Sequence, residues 1–153
     1  MAIPETGRDH RGGVIQDDRG LTMAEFLTEL DARLKHGSDT VWVLRPSSPL
    51  IYESDILGRI EVPEGFETDL ASVPRVPIIY AMWGSRAHRE AVLHDYLFRI
   101  DSRPLATFSQ ANGVFLEAME IRGKSWYVRY PMWWGVWIGS YGCFHQRLVG
   151  DSL

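Results

Sequence analysis

Three residues in this chain have the types that acid–base or metal chemistry uses: Asp69, His94 and Asp95, with Ser72, Arg75 and His88 close by in sequence. A carboxylate can fix a histidine tautomer, the histidine can then act as a base, and an Asp/His set can hold a divalent metal that activates water. Asp69, His94 and Asp95 are therefore candidate catalytic residues, and Asp69 and His94 are candidate ligands of a divalent metal. Ser72 is a poorer nucleophile candidate, because the chain has neither a His-Glu-x-x-His helix nor a Gly-x-Ser-x-Gly elbow. The same residues also read as structure. Thr68, Asp69 and Ser72 lie between Gly65 and Pro74, where short polar side chains bond their own backbone. On that reading Thr68, Asp69, Ser72, Arg75, His94 and Asp95 form a polar network that locks a loop onto a helix, since a buried polar group left unpaired costs about 1–3 kcal/mol. A recognition site for another protein or a glycan is the third option.

These residues need elements to hold them. The pattern from about Ser85 or Arg86 to Arg99 predicts a helix. At about 100° per residue, Val92, Leu93, Tyr96 and Leu97 share one face and His88, Ala91 and Asp95 the other. His94 falls at the boundary, so His94 and Asp95 do not automatically reach one point, whereas His88 and Asp95 share a stripe. Before this helix, strands are predicted at 40–44, 50–53 and 56–62, separated by Pro-Ser-Ser-Pro and Ser-Asp punctuation, as a small antiparallel meander. Residues 76–82 form an apolar connector without a predicted structure. A further helix is predicted from Pro104 to Arg122, with Ser102 as cap, Phe108, Ala111, Phe115, Ala118 and Met119 inward, and Gly123 closing it.

The chain ends differ from this body. Residues 1–20 are glycine-rich and poor in apolar side chains, which reads as an arm. Thr22 as N-cap with Glu25 as its capping-box partner, and Leu21 with Phe26 as a staple, predict a first helix. Phe26, Leu30 and Leu34, flanked by Met23 and Leu27, give it an apolar face, and Gly37 ends it. Trp126 to Phe144 is crowded with aromatic residues, and Gly135 and Gly139 have the spacing of closely approaching helices. The apolar part, Met132 to Ile138, is far shorter than the roughly 20 residues of a membrane span. A last helix packed in the core is the expectation, ahead of a membrane-surface role. The fold class is α+β: a small antiparallel sheet or meander packed with three to four helices, plus an N-terminal arm and helix over 1–38 and a compact domain over 39–153.

Composition narrows the functions. With 153 residues, 45% apolar and 24% charged, the chain can bury a real core. A net charge of −4 gives no basic face for nucleic acid. Cys143 stands alone, so an internal disulfide and a cysteine zinc cluster are excluded. The start lacks a basic end followed by an apolar run, and the expectation is cytoplasmic synthesis.

Gly65 to Arg75, Ala91 to Leu97 and the Ala111 to Met119 helix together resemble the family numbered 1353 among domains of unknown function, found chiefly in tailed bacteriophages and prophages. The likeness covers about Leu50 to Gly139. It implies a compact α+β phage gene product, made in the host cytoplasm and then carried in the virion. Taken with the arm and the aromatic end, which lie partly outside the likeness, it makes other virion proteins the expected partners, reached through residues 1–36 and the aromatic C-terminal stretch, and it admits an oligomer. Where such proteins often carry Ala-Asp in the later helix, this chain has Ala111-Asn112, which weakens any catalytic reading that needs that aspartate. The expected function is a virion- or tail-associated structural component. The alternative is a metal-dependent hydrolase acting on the host cell envelope.

Overall fold

A computed structural model describes residues 23–70 and 87–153. The N-terminal arm, the 76–82 connector, Ser72 and Arg75 lie outside the described residues.

The hairpin of β4 (Leu50–Ser54) and β5 (Gly58–Val62) is the plainest case of sequence dictating structure. Leu50, Tyr52 and Ser54 are buried, as are Ile60 and Val62, so alternate residues of both strands face one core. Ser54 Oγ accepts the N–H groups of Ile56 and Leu57, and Gly58 supplies the positive φ of +71° that the turn requires. β1 (Glu25–Phe26) pairs antiparallel with the other edge of β4, giving the order β1-β4-β5. A second antiparallel sheet has the order β2-β3-β6, from Ala32–Leu34, Trp42–Leu44 and Glu67–Thr68. The three expected strands are therefore present, divided between two sheets rather than joined in one meander. The class is α+β.

The expected first helix is not formed: residues 25–34 contribute two strands. Leu27 N–H donates to Ile51 O at 2.9 Å, while Thr28 Oγ1 accepts from Ile51 N–H and donates to Pro49 O. These bonds tie the segment to β4 and leave no intrahelical ladder. The spacing that suggested a helix is a multiple of two, so Phe26 and Leu30 suit a strand period equally well. Burial decides between them. Ala24, Phe26, Leu30 and Ala32 turn inward, whereas Met23 and Leu27, which a helix would also bury, are 76% and 44% exposed.

Three helices follow among the described residues: α1 (His88–Leu97), α2 (Phe108–Ile121) and α3 (Trp126–Ser140). α2 starts later than expected, because Thr107 and Gln110 make a reciprocal capping box, and Ser102 instead bonds Pro104 O. Tyr96 Oη accepts Arg103 N–H and donates to Arg103 O, pinning the loop between α1 and α2. α1 lies between the hairpin and α2: Val92, Leu93 and Leu97 join Leu50, Tyr52, Ile60 and Val62 in one core. Ala87 and Ala91 instead join Phe115, Met119, Val128, Met132 and Val136, the core that α3 closes. At Gly113, α2 passes so near the hairpin turn that an added Cβ would meet Ile56 Cδ1 at 3.1 Å. Gly139 meets nothing within 4 Å, so close helix approach does not occur there.

The alternation over 23–34 has a direct consequence. Phe26→Ala, which loses a ring 4.6 Å from Tyr52, is expected to cost about 2–3 kcal/mol in denaturant unfolding, and Met23→Ala no more than about 0.5 kcal/mol. A buried helical stripe would make both costly.

Candidate functional site

His94 is 1% exposed, enclosed by Phe98 and Phe115 with ring centroids 4.1 and 5.3 Å away. Its Nε2 lies 3.1 Å from Asn112 Oδ1. The orientation of that amide is set from its other end, where Nδ2 donates to Phe108 O at 2.8 Å, so the oxygen must face the ring. His94 is thus the tautomer with its proton on Nε2, donating to Asn112. Burial pushes the imidazole down to about 4, against a smaller upward push from the Asn112 bond. It is neutral at ordinary pH. Asn112 O in turn accepts Trp133 Nε1–H at 3.0 Å, so one residue of α2 joins α1 to α3.

Asp95, one step further along α1, turns elsewhere. It accepts the hydroxyl of fully buried Thr68 at the end of β6, and Thr68 Oγ1 accepts Leu70 N–H at 3.0 Å. Leu70 sits at φ +54°, a left-handed conformation that a branched side chain adopts only when its surroundings hold it there. Arg99 completes the arrangement. It is 6% exposed, donates to Glu67 O at 3.3 Å, and lies 5.3 Å from the centroid of the Phe66 ring. Burial lowers its pKa, while the charges of Asp95 and Asp69 raise it. Thr68, Asp69, Asp95 and Arg99 therefore share one electrostatic neighbourhood, and His94 belongs to another.

A third polar pair fixes the start of α1. Glu90 is 1% exposed, with Lys124 Nζ 3.6 Å from its carboxylate, and burial pushes its pKa up. His88 is exposed and borders an open cavity of about 200 Å³ lined by Leu30, Ala32, Trp42, Thr68, Leu70 and Val92. That lining is chiefly apolar and includes neither His94 nor Asp69.

Of the expected site residues, Thr68 and Asp95 come together directly, and the charge of Asp69 is felt at Arg99. His94 is held apart from them. The candidate ligands Asp69 and His94 do not gather with others: among the described residues no three His, Cys, Asp or Glu side chains group as a metal-holding set. With Nε2–H given to Asn112, Nδ1 is the ring nitrogen of His94 that carries a lone pair. Arg99 and Asn112 were not read from sequence as members of the network. Asp95 and Arg99 do stand four residues apart, a helical pairing distance, but the His94 ring and the Trp133 indole reach Asn112 from 18 and 21 residues away.

Residues 44–136 match the family described as "Protein of unknown function (DUF1353)", a match over more than half of the chain. The chain belongs to that family. The family region takes in the β4–β5 hairpin, α1, α2 and α3 as far as Val136, and leaves out β1 and β2. It thus contains each of the polar pairs just described. No curated protein and no solved structure matches the chain.

Burial of neutral His94 makes stability depend on pH. The unfolded imidazole takes up a proton near 6.5 and the folded one only near 4. The stabilisation is complete above 6.5 and is lost as pH falls toward 4, by roughly 3 kcal/mol in all. Glu90 and Glu117, whose carboxyls burial pushes up, act with the opposite sign. The difference between wild type and His94→Gln therefore isolates the imidazole: in urea unfolding between these pH values the wild type is expected to lose more stability. NMR titration should place the His94 ring near 4, and Asn112→Asp, by setting a carboxylate against it, should move that value up.

Proposed function

We propose that the chain is a bacteriophage or prophage structural component, associated with the tail or another part of the virion, and that it works through surface contacts rather than catalysis. The observation that carries this reading is how its reactive side chains are used. His94 is committed to Asn112 and sealed by aromatic rings, and Asp95 is committed to Thr68. Groups so placed fix the relation of helix to loop and helix to helix, and a buried base with a depressed pKa is poorly placed to meet a substrate. Large side chains on the outside tell the complementary story. Trp126, Tyr127, Tyr130, Trp134, Trp137, Ile138 and Tyr141 all remain exposed along one helix. A contiguous exposed apolar face of this kind marks an interaction surface. The motifs from Gly65 to Arg75 and from Ala91 to Leu97 supply the phage assignment by resemblance, with synthesis in the host cytoplasm followed by incorporation.

Two measurements test the reading. Particles purified from an induced lysogen are expected to contain the chain at a fixed copy number by quantitative mass spectrometry. Its presence only in the particle-free lysate overturns the proposal. The rival, a metal-dependent hydrolase of the host envelope, would need Asp69 and His94 at a metal. Equilibrium dialysis against divalent ions is expected to leave none bound, and Asp69→Ala and His94→Ala to leave cell-wall turnover at background. Bound metal with activity lost in both variants reverses that conclusion.

A further inference from the structure

The outer face of α3 presents Trp126, Tyr127, Tyr130, Trp134, Trp137 and Tyr141, each at least 42% exposed, on a helix whose sequence contains no acidic residue. Opposite them Val128, Met132 and Val136 are buried and anchor the helix in the core, and on the outer side Trp137 and Tyr141 lean on Phe108 with ring centroids 5.9 and 5.5 Å away. Charge distinguishes the occupants this side could take. Residues 121–150 hold Arg122, Lys124, Arg129 and Arg147 and no Asp or Glu, a formal +4 within a chain of net −4. Lys124 is engaged by Glu90 and Arg129 by Glu120. Arg122 and Arg147 are exposed, one before the helix and one after it.

With Lys124 and Arg129 so paired, a second copy meeting this face would bring the like charges of Arg122 and Arg147 together at the ends of the helix. An anionic lipid surface meets them with opposite charge. The ring types agree with lipid, because Trp and Tyr join an apolar body to a polar tip and settle where hydrocarbon gives way to headgroups. Geometry limits the mode of contact. Fifteen residues make a helix about 22 Å long, and among the described residues no helix is long and apolar enough to cross a membrane. A helix of this kind lies along a bilayer.

We propose that the outer face of α3 docks on an anionic lipid bilayer surface, its Trp and Tyr rings seated at headgroup depth and Arg122 and Arg147 against lipid phosphates. The proposal rests on the reading of α3 as a contact surface and names an anionic bilayer as what that surface meets.

The test is flotation of the full-length chain with vesicles of phosphatidylcholine plus phosphatidylglycerol, and with vesicles of phosphatidylcholine alone. Binding is expected on the first, about tenfold weaker on the second. A Trp126→Ser, Trp134→Ser double variant, with its melting transition retained, should lose about tenfold or more. Arg122→Gln with Arg147→Gln should remove the preference for the anionic vesicles. A nitroxide on Cys143, the lone and exposed cysteine, should become less accessible to an aqueous relaxation agent when vesicles are added. Absence of flotation with either vesicle overturns the proposal. So does a homodimer, or a complex with another virion protein, that the tryptophan double variant abolishes. Particle composition separates the two readings: vesicle binding by a chain missing from particles removes the virion assignment alone, and a chain present in particles that ignores vesicles removes this proposal alone.

Discussion

The structure depends on one constraint: α1 is enclosed on almost every side, although it is not an apolar helix. Glu90, Ala91, Val92, Leu93, His94, Tyr96 and Leu97 are all buried within its ten residues. Its apolar members satisfy the hydrophobic effect against any apolar neighbour, and so do not by themselves select one arrangement. Its polar members do select, because each must find a partner as it leaves water. Glu90 finds Lys124 beyond the end of α2, His94 finds Asn112 within α2, Asp95 finds Thr68 at the end of β6, and Tyr96 finds the backbone of Arg103. Four attachments within ten residues, fewer than three turns, fix both the rotation and the height of the helix. A one-residue shift would break all of them at once.

This arrangement separates polar groups that look alike in sequence. His94 and Asp95 are adjacent and could serve one mechanism, yet they lie about 100° apart on the helix and end in environments of opposite character. One is held between aromatic rings with a proton fixed on Nε2. The other joins a buried hydroxyl and a nearby guanidinium. Each of these hydrogen bonds fixes an orientation, and Leu70, bent into a left-handed conformation beside Thr68, shows how firmly that corner is held. Lys35 provides a similar tie on the second sheet, bridging Glu67 at 2.8 Å and Leu153 O at 3.2 Å and so drawing the end of the chain onto β6.

Much of this was legible in the sequence, and the failures have physical causes. The hairpin could be read because alternation in Leu50–Ser54 and Gly58–Val62 reports directly on a sheet with one buried face. α1 and α2 could be read because their apolar residues recur at a spacing no strand uses. The segment around Phe26 could not, because a four-residue spacing satisfies both periods and the capping pattern at Thr22 and Glu25 is local, whereas the deciding bonds to Ile51 and Pro49 come from a strand more than twenty residues away. Thr107 was passed over for Ser102 because both are capping types, and only Gln110 reaching back makes the choice. At the site, helical geometry alone foretold that His94 and Asp95 need not converge. The partners were hidden, since the role of Asn112 depends on an imidazole and an indole from other helices that no spacing rule encodes.

The two neighbouring indoles of α3 divide inner from outer. Trp134 stands in the open, while Trp133 reaches inward to the carbonyl of Asn112, the same residue whose amide steadies His94. Apolar helix faces can roll over one another with little loss, but a directional bond resists rotation. A torque applied at the exposed rim is therefore passed through the Trp133 indole to the middle of α2 and on to the imidazole behind it, so that whatever grips the outside of this protein is mechanically connected to a ring deep in its core.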